Sequence, residues 1–433
     1  MKILVVGSGG REHALVWKLA QSPRTTQLWC ASGNAGIAQE KLSSNGKFVE
    51  CEQISPEDLP ALIEFAKARQ PDLTVVSSDN PLGMGIVDLF QREGLAIWGP
   101  NKKAAQFESS KVFSQQFMER YGVPTAASGV FSSFQQAMAF AESLHGRCAV
   151  KVDGLALGKG VFVCSSLQEA EHAIKTILQE KTFGEAGARL VIQEYLEGVE
   201  VSLHALCDGN SWKLFPTSQD HKRIYANDQG PNTGGMGTYS PTPFLTDEEL
   251  QEVAKSILEP WFLGCKAEGI DYRGILYPGI MLTEEGPKVL EFNARLGDPE
   301  AQVYLPRLKN DIVELLLASV NGTLNQVSLE FSDEPTVCVM LASAGYPGKY
   351  EAGKKIEGLD VVNALPGIKV FHSGTRLSGS DILTNGGRVL GVTAWADTLK
   401  EAHEKAYQAV DQIHFDGVYY RPDIAQKAFM TDK

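Results

Sequence analysis

Short apolar runs alternate with amphipathic stretches over the first hundred residues of the chain. The apolar runs are KILVV, TQLWCA, LTVVSS and AIWG, and the stretches between them, such as REHALVWKLAQS and SPEDLPALIEFAKARQ, have the periodicity of helices. This βαβα rhythm predicts a doubly wound parallel sheet that binds ligands at the carboxyl ends of its strands. Residues 7–11, 32–36 and 78–82 would lie at that edge.

Two further units are predicted beyond this sheet. One helix, AAQFESSKVFSQQFMERYG, leads to the strands RCAVKVDG and KGVFVCS, which flank the glycine-rich segment GLALGKG. Longer strands follow, and the last stretches, TVCVMLASAGYPG, KVFHSGTRLSG and GGRVLGVTAWADTLKEAHEKAYQAVDQI, are typical of a small α+β unit. We therefore predict an α/β chain with units at 1–102, 103–327 and 328–433.

Composition narrows the classes of partner. The net charge of −13 argues against non-specific binding to nucleic acid or to an anionic membrane. No apolar run approaches the roughly 20 residues of a membrane span. The seven cysteines are scattered and odd in number, which suits a reducing compartment. We expect a cytoplasmic protein with neither nucleic acid nor membrane as a partner.

The glycine turn after the first strand, GSGG at 7–10, has the geometry of a phosphate-binding loop. A dinucleotide fingerprint would require a third glycine where Glu12 stands and an acidic residue at the end of the second strand, where Cys30 to Gly33 stand instead. The turn therefore favours a single phosphate over a dinucleotide. A tight turn without a ligand is the alternative.

Three later stretches are consistent with a nucleoside triphosphate. Lys151 precedes GLALGKG, whose glycines permit close approach to phosphates; solvated lysines at a hairpin tip are the alternative. VIQEYLEGVEVS, residues 191–202, offers main-chain groups for an adenine and a carboxylate for a ribose, although this segment taken by itself favours charges on an exposed hairpin face. In VLEFNARLGDPE, Glu291, Asn293 and Arg295 share one face of a predicted strand, a donor set that suits Mg²⁺ and phosphate oxygens.

These stretches resemble the ATP-grasp superfamily and, within it, the glycinamide ribonucleotide synthetase family. The resemblance covers essentially the whole chain and is carried by GSGGREHAL, GNAG, GPNKKAAQFESSK, VKVDGLALGKGV, QDHKR, GPNTGGMGTYSP, YRGILY, LEFNARLGDPE, GGRVL and HFDGVYYR. It implies a two-lobed ATP-grasp domain at 103–327, with a mobile glycine-loop subdomain at about 124–193.

The resemblance also implies the residues of the site. ATP would be bound by Lys111, Lys151, Gly154, Gly158, Lys159, Gly160, Gln193, Glu194, Tyr195, Leu196 and Glu200. Mg²⁺ or Mn²⁺ would be bound by Glu291 and Asn293. The other substrates would be bound by Gly9, Gly10, Arg11, Asn34, Gly36, Lys222, Thr233, Gly234, Gly235, Asp298, Pro299 and Glu300. Catalysis would depend on Arg295, Lys151 and Asp220, with Asp220 a candidate for the ammonium of glycine.

The implied reaction joins glycine to 5-phosphoribosylamine through glycyl phosphate and converts ATP to ADP and phosphate, in purine biosynthesis. We expect a monomer, and a transient contact with the upstream amidotransferase is a further hypothesis. Ser32 and SSDNPL at 77–82 depart from the family pattern beside the expected phosphoribosylamine pocket. The alternatives are a nicotinamide-dependent oxidoreductase, another ATP-grasp ligase or carboxylase, and a non-catalytic nucleotide-binding subunit. His221 could be a base or a hydrogen-bonded structural histidine.

Overall fold

The first unit of the computed structural model, which describes residues 1–154 and 160–430, is a five-stranded parallel sheet. Its strand order is β3-β2-β1-β4-β5. The strands are β1 (Lys2–Gly7), β2 (Gln27–Ser32), β3 (Glu50–Glu52), β4 (Leu73–Val76) and β5 (Ile97–Trp98), and the helices are α1 (Gly10–Gln21), α2 (Leu59–Arg69), α3 (Asp79–Met84) and α4 (Ile86–Arg92). The predicted doubly wound sheet is confirmed.

Strand β1 is apolar throughout because both of its faces are buried. Ile3 and Val5 face a core that contains α1, whereas Leu4 and Val6 face the core formed with α2 and α4. Alternation along a strand sends successive side chains to opposite faces, so a sheet covered on both sides needs a continuous apolar run. The strand order reverses between β1 and β4, and the crevice at their carboxyl ends is where such sheets bind ligands.

Two helices then lead into a small antiparallel lobe. The stretch predicted as one helix is divided at Ser110 into α5 (Lys102–Ser109) and α6 (Lys111–Tyr121). Ser110 has an extended backbone, and its hydroxyl caps α6 by accepting from the N–H of Phe113. The lobe consists of β6 (Ser128–Phe131), α7 (Phe134–Ser143), β7 (Cys148–Val152), β8 (Val161–Cys164), α8 (Leu167–Leu178) and β9 (Leu190–Glu194), with strand order β6-β9-β7-β8.

The next stretch of chain supplies strands to two different sheets. Its strands are β10 (Val199–Ser202), β11 (Ala205–Asp208), β12 (Trp212–Leu214), β13 (Gln219–Asp220), β14 (Arg223–Tyr225), β15 (Gln229–Asn232), β16 (Gly237–Ser240), β17 (Arg273–Thr283) and β18 (Gly286–Asn293), and its helices are α9 (Asp247–Ala267), α10 (Ala301–Arg307) and α11 (Ile312–Asn321). Strands β10, β17, β11 and β12 form one antiparallel sheet, and β18 pairs with β17. Strands β14 and β15 form a separate hairpin, whereas β13 and β16 join the last sheet of the chain.

That last sheet has the order β13-β16-β19-β23-β20, with β24 paired to β19. Its remaining elements are β19 (Thr336–Ser343), α12 (Leu359–Asn363), β20 (Ile368–His372), β23 (Arg388–Trp395), α13 (Leu399–Val410) and β24 (Val418–Tyr419); β21 (Thr375–Ser378) and β22 (Asp381–Thr384) form a hairpin beside it. Short 3₁₀ turns lie at Ile37–Gln39, Gly184–Ala188, Ala226–Asp228, Leu324–Gln326 and Gln426–Met430. Helix α13 covers one face of the sheet, and Val303 of α10 packs with Cys338 and Met340 on the other.

Helices α10 and α11 therefore tie the units together. Tyr304 and Leu305 of α10, and Ile312 and Leu316 of α11, lie in the same core as β1 and α1. The indole N–H of Trp98, in β5, donates to Ser319 of α11 at 3.0 Å. All seven cysteines are free thiols. Among the described residues, no helix combines the length and apolar character needed to cross a bilayer.

Candidate active site

One face of the β10-β17-β18 layer carries the residues predicted to bind the metal. Glu291 stands opposite Gly279 of β17, and Asn293 stands opposite Tyr277. The other face of β18 is apolar, with Phe292 in the core. The Nδ2 of Asn293 donates to the carbonyl of Tyr277 at 3.3 Å, which leaves the amide oxygen facing the site. Arg295 lies beyond the end of β18, with Nη2 3.4 Å from that oxygen.

Three lysines surround Glu291. Lys111, at the start of α6, donates to the Glu291 carboxylate at 2.8 Å. Lys151, on β7, donates to the carbonyl of Leu290 at 2.7 Å, at the bulge where β18 shifts its register. Burial disfavours the Glu291 carboxylate, but Lys111, Lys222 and Lys151 outweigh it and hold its pKa well below the usual range.

The surroundings of Lys151 and Lys222 shift the pKa values of the two side chains in opposite directions. Burial lowers the pKa of Lys151 to about 8, although Glu291 opposes the effect. Burial also disfavours the charged form of Lys222, but Glu200 and Glu291 prevail and raise its pKa. Lys222 forms an ion pair with Glu200. Lys222 was predicted to contact the acceptor substrate, and the structure places its ammonium beside residues predicted for the nucleotide.

The base of the glycine-rich segment is anchored through Asp153. Its Oδ1 accepts from the Ser110 hydroxyl at 2.8 Å and from the N–H of Val112 at 3.2 Å, and Arg189 pairs with Oδ2 at 2.7 Å. Gly154 has φ +153°, and a Cβ there would lie 2.9 Å from the Cβ of Ala186. Of the other loop residues predicted to bind ATP, Gly160 immediately precedes β8, whereas Gly158 and Lys159 lie outside the described residues.

The predicted adenine connector, residues 193–196, begins with the last two residues of β9 and continues beyond the strand. The side chains of Gln193 and Glu194 already form hydrogen bonds within the protein. Gln193 donates to Gln115 at 2.7 Å, and Glu194 accepts from the N–H of Ala127 at 3.0 Å. The Tyr195 ring is half-exposed with the Arg147 guanidinium above it, and Leu196 is buried. An adenine edge would therefore meet the main chain here rather than these side chains.

Glu12, which stands where a dinucleotide fingerprint would have its third glycine, forms hydrogen bonds across the N-terminal glycine turn. Glu12 is buried and accepts from the N–H of Gly9 at 2.8 Å, from Arg11 at 2.7 Å and from Ser78 at 3.0 Å. A Cβ on Gly7 would lie 2.6 Å from the Glu12 Cδ. The carboxylate thus satisfies a donor of the turn itself, in the position that a bound anion would favour.

Three of the residues predicted to bind substrate beside this turn have structural hydrogen bonds. Asn34 donates to the carbonyls of Ser8 and His372 at 2.7 and 2.8 Å, and its Oδ1 accepts from the N–H of Gly36 at 2.9 Å. Arg11 donates to the carbonyl of Leu296 at 3.2 Å. These bonds join the first sheet to the turn after β18 and to the last sheet.

The turn at 297–300 meets the glycine turn and the last sheet. A Cβ on Gly9 would lie 3.6 Å from the Asp298 Oδ2, and a Cβ on Gly10 would lie 2.5 Å from the Gln302 Nε2. This Nε2 donates to the Asp298 Oδ1 at 2.8 Å. Arg388 of β23 donates to Oδ2 at 2.8 Å. Burial disfavours the Asp298 carboxylate, but Arg388 and Arg11 outweigh it and lower its pKa.

Arg388 also fixes the loop that precedes β16. Its guanidinium donates to the carbonyl of Gly234 at 2.5 Å and to that of Asp298 at 2.8 Å. Thr233 in the same loop donates to the carbonyl of Lys222 at 2.8 Å and accepts from the N–H of Gly235 at 3.0 Å. Arg388 was not among the predicted site residues, although it lies in GGRVL, one of the motifs that carried the resemblance.

A second omission from the prediction is Glu108, the partner of Arg295. The two side chains form an ion pair at 2.9 Å, and the Glu108 Oε2 accepts from the N–H of Ala294 at 2.9 Å. Burial raises the pKa of Glu108 although Arg295 opposes it. The Nε of Arg295 is buried and has no hydrogen-bond partner among the described residues, so the guanidinium retains a donor for a ligand.

His221 has the environment of a structural histidine. Its Nδ1 lies 3.1 Å from the carbonyl of Gly237, and its Nε2 accepts from the N–H of Ala425 at 3.4 Å. Burial lowers its pKa to about 4. The ring is therefore neutral near pH 7 with both nitrogens engaged, which favours the structural alternative over a catalytic base.

The donor set fits a divalent cation that shares its ligands with phosphate. Glu291 supplies a carboxylate and Asn293 an amide oxygen, both hard donors. Within the part of the chain that the structure describes, no group of three or more His, Cys, Asp or Glu side chains is arranged to hold a metal ion. A cation at Glu291 and Asn293 would take its other ligands from phosphate or water, as Mg²⁺ commonly does in nucleotide sites.

Comparison with protein families matches all three units to domain models of a single family. The models of the phosphoribosylglycinamide synthetase family match residues 1–108 (N domain), 109–301 (ATP-grasp domain) and 336–427 (C domain). A phosphoribosylamine–glycine ligase of Caldanaerobacter subterraneus is 46% identical over 98% of this chain and 99% of its own length. One from Allochromatium vinosum is 47% identical over the full length of both chains.

Solved structures agree on the architecture. The phosphoribosylamine–glycine ligase of Thermotoga maritima is 31% identical, covers 98% of this chain and 100% of its own, and superposes with a TM-score of 0.83. The biotin carboxylase of Campylobacter jejuni, 15% identical over 98% of this chain and 96% of its own, has a TM-score of 0.73 and shares the fold. The predicted combination of a doubly wound sheet, a two-lobed ATP-grasp domain and a C-terminal α+β domain is confirmed.

Proposed function

The chain belongs to the phosphoribosylglycinamide synthetase family of ATP-grasp carbon–nitrogen ligases, and from this premise we propose how its site joins glycine to 5-phosphoribosylamine. The products are glycinamide ribonucleotide, ADP and phosphate, and the reaction belongs to purine biosynthesis. The observation that carries the proposal is the ring of Lys111, Lys151 and Lys222 around Glu291, which matches a triphosphate and its cation.

Glycine must be activated because its carboxylate is a poor electrophile. One carboxylate oxygen attacks the γ-phosphorus of ATP, the bond to the bridging oxygen breaks, and glycyl phosphate and ADP form. The amine of phosphoribosylamine then attacks the acyl carbon; the amide forms, phosphate leaves, and the amine gives up a proton. Neither step needs a side-chain nucleophile. The protein contributes by holding the reactants in place and by placing charged groups beside the phosphates.

The residues near Glu291 supply that charge. Lys111, Lys151 and Lys222 neutralise the phosphate oxygens, and the free Nε of Arg295 donates to the transferring phosphoryl group or to the acyl phosphate. Glu291 and Asn293 would hold Mg²⁺ or Mn²⁺, which would supply positive charge to offset that of the phosphate oxygens. Gly154, which follows the anchored Asp153, would let the main chain approach the phosphates because it has no side chain.

The remaining contacts divide between the nucleoside and the acceptor. The main chain at 193–196 meets the adenine, and Glu200 accepts from the ribose hydroxyls. Phosphoribosylamine occupies the crevice between the glycine turn and the 297–300 turn, bordered by the loop at 233–235 and by Arg388. Asn34 and Gly36 support that crevice through the bonds described above.

A coupled ADP assay tests the function. Wild-type protein is mixed with ATP, Mg²⁺, glycine and freshly generated phosphoribosylamine, and each component is omitted in turn. We expect ADP release to require both glycine and phosphoribosylamine, and bicarbonate to replace neither. Release that proceeds without glycine would contradict the proposal, and repeating the assay with Mn²⁺ compares the two cations.

We propose three further properties that can be tested directly. The seven free thiols support a reducing compartment, the cytoplasm. The chain acts as a monomer, which light scattering checks. It takes labile phosphoribosylamine from the upstream amidotransferase through a transient contact. In a mixture of the two enzymes, an excess of inactive synthetase should compete for that contact and so reduce the rate of product formation.

A further inference from the structure

The β14-β15 hairpin lies between two groups of predicted site residues. Asp220 and Lys222 precede β14, and the loop at 233–235 follows β15. The N–H and the hydroxyl of Thr233 both donate to the carbonyl of Lys222, at 2.7 and 2.8 Å, so the hairpin is closed at its base. The position of Lys222, and of its ammonium beside Glu200, therefore depends on the hairpin.

The hairpin has no sheet to hold it. Within the described residues, β14 and β15 pair only with each other, and such a two-stranded ribbon is marginally stable by itself. Two residues at its tip, Asn227 and Asp228, have φ of 57° and 53°, a conformation that residues other than glycine adopt rarely. The N–H of Asn227 donates at 2.9 Å to the carboxylate of Asp423, 196 positions later in the chain. The tip is thus held from outside the hairpin.

Most of this support comes from residues 419–427, which we call the C-terminal segment. The Arg421 guanidinium is fully buried, and its Nη1 donates to the carbonyl of Arg223 at 2.9 Å and to the Asp228 Oδ1 at 3.0 Å. Its Nε and Nη2 donate to the two carboxylate oxygens of Asp423 at 2.8 and 2.7 Å. The planar fork of donors thus joins the base and the tip of the hairpin to the C-terminal segment.

The same segment anchors the chain on either side of Lys222. The Tyr419 hydroxyl donates to the carbonyl of Ile224 at 2.9 Å. The N–H of Ala425 donates at 3.4 Å to the Nε2 of His221, the residue immediately before Lys222. A displacement of the C-terminal segment would therefore displace the main chain that carries this lysine.

Arg421 acts on the site only through these contacts. Its hydrogen bonds in the described part of the chain go to the hairpin and to its own segment, not to a predicted site residue. We propose that Arg421 is a positioning residue for the ligation: by fixing the hairpin, it holds the Lys222 ammonium beside Glu200 and Glu291, where we place the triphosphate. This inference rests on the proposed function and extends it to a residue of the last unit.

A double-mutant cycle in the ADP assay tests whether Arg421 acts through Lys222. Arg421→Lys keeps the positive charge of the buried network but loses the planar fork, and Lys222→Met removes the ammonium that the fork positions. In the wild-type background, R421K should lower kcat/KM for ATP about 5- to 20-fold. In the K222M background it should lower kcat/KM by less than about twofold, because two substitutions do not add when one acts through the other.

Arg307→Lys is the matched control. Arg307 is also a buried arginine, and it donates to the Ser240 hydroxyl and to the carbonyl of Ser332, neither of which belongs to the hairpin. R307K should lower the melting temperature, as R421K does, and leave kcat/KM for ATP within about twofold.

Tyr419→Phe replaces R421K in the cycle if that variant does not fold. It removes only the hydrogen bond to the carbonyl of Ile224. The loss in kcat/KM for ATP should be about threefold when Lys222 is present and should disappear in the K222M background.

The outcomes separate this proposal from the proposed function. Additive losses in the cycle overturn the positioning role, because R421K would then act independently of Lys222. Wild-type kinetics in either R421K or K222M overturn it as well. A wild-type protein without glycine-dependent ADP release would instead contradict the proposed function itself.

Discussion

At the scale of the residue, the site depends on the balance of charge around Glu291. One carboxylate lies among three lysines, and the protein keeps it ionised against burial. An isolated buried carboxylate would be protonated or paired with one cation, whereas this one faces more positive charge than it can neutralise. The excess positive charge is the feature that a triphosphate would complete.

Replacing Glu291 with Gln tests its role with the cation. We expect kcat to fall by about 100-fold and the Mg²⁺ concentration needed for half-maximal rate to rise, since a neutral amide holds a divalent cation weakly. Steady-state rates across a Mg²⁺ titration measure both. Glu285→Gln is the control, because Glu285 is exposed at the turn between β17 and β18 and pairs with Lys288. An E291Q protein with the wild-type Mg²⁺ response would remove Glu291 from the cation site.

The low pKa of Lys151 predicts a pH dependence of ATP binding. In the folded protein the ammonium loses its proton as pH rises through about 8, whereas an unperturbed lysine titrates near 10.5. The KM for ATP should therefore rise above pH 8, by up to about tenfold per pH unit. Because the folded pKa is the lower one, the contribution of this group to stability increases as pH rises from 8 to 10.5.

Lys151→Arg separates this titration from others. The guanidinium stays charged, so the KM for ATP should be nearly constant between pH 7.5 and 9.5, whatever its absolute value. A wild-type KM for ATP that does not change over this range, or a K151R profile that parallels wild type, would assign the pH dependence to another group.

At the scale of the element, Ser110 connects a helix start to the glycine-rich segment. Its hydroxyl caps α6 and donates to Asp153, the residue immediately before Gly154. The break between α5 and α6 thus positions both Lys111 and the entry to the loop. A continuous helix through residue 110 would orient Lys111 differently.

Ser110→Ala and Ser166→Ala form a matched pair, since Ser166 caps α8 by accepting from the N–H of Glu169 and is not one of the predicted site residues. Each loses a helix cap and should cost about 1 kcal/mol in the free energy of unfolding. Only S110A should also raise the KM for ATP, by about three- to tenfold. Denaturant melts and initial rates measure the two effects. Equal KM values for the pair would show that the cap does not position the loop.

The sequence pattern predicted the structure of single helices and strands. It did not predict the contacts between elements that are far apart in the chain. The run at 3–6 predicts a strand covered on both faces, and the alternation at 291–295 predicts two ligands on one face. The break at Ser110 was missed because its residues fit a helix on either side. Strand β13 has only two residues, too few to show a period, and its membership of the last sheet depends on pairing with Thr238.

The candidate site shows the same division. Lys111, Lys151, Glu291 and Asn293 lie together as the resemblance implied, whereas Arg388 and Glu108 were passed over within motifs already quoted. Their roles depend on partners about 90 and 190 residues away in the chain, which no local pattern reveals.

At the scale of the whole molecule, the three units share their sheets and helices. Strands β13 and β16 belong to the last sheet, and α10 packs between that sheet and the first. The turn with Asp298 and Glu300 precedes α10, so contacts from all three units hold the crevice that we propose for phosphoribosylamine. Binding of phosphoribosylamine there would require all three units.

A chain shortened to residues 1–335 tests this interdependence. Removing β19 exposes Tyr239, Met236 and Val303, which are fully buried in the intact protein. We expect the fragment to aggregate and to lack a cooperative thermal transition, because it presents an apolar surface and the unpaired edge of β16. Sedimentation and circular dichroism check this. A monomeric fragment with a sharp transition would contradict it.

The packing of α11 against β5 has a consequence for synthesis on the ribosome. Trp98 and its neighbours on that face are covered by a helix that begins at residue 312, about 200 residues later in translation. At about 5–20 residues per second the nascent first sheet waits about 10–40 s with part of its apolar face open. Completion of this packing thus depends on the order of synthesis, because the apolar face that α11 covers stays open until residues 312–321 have been made.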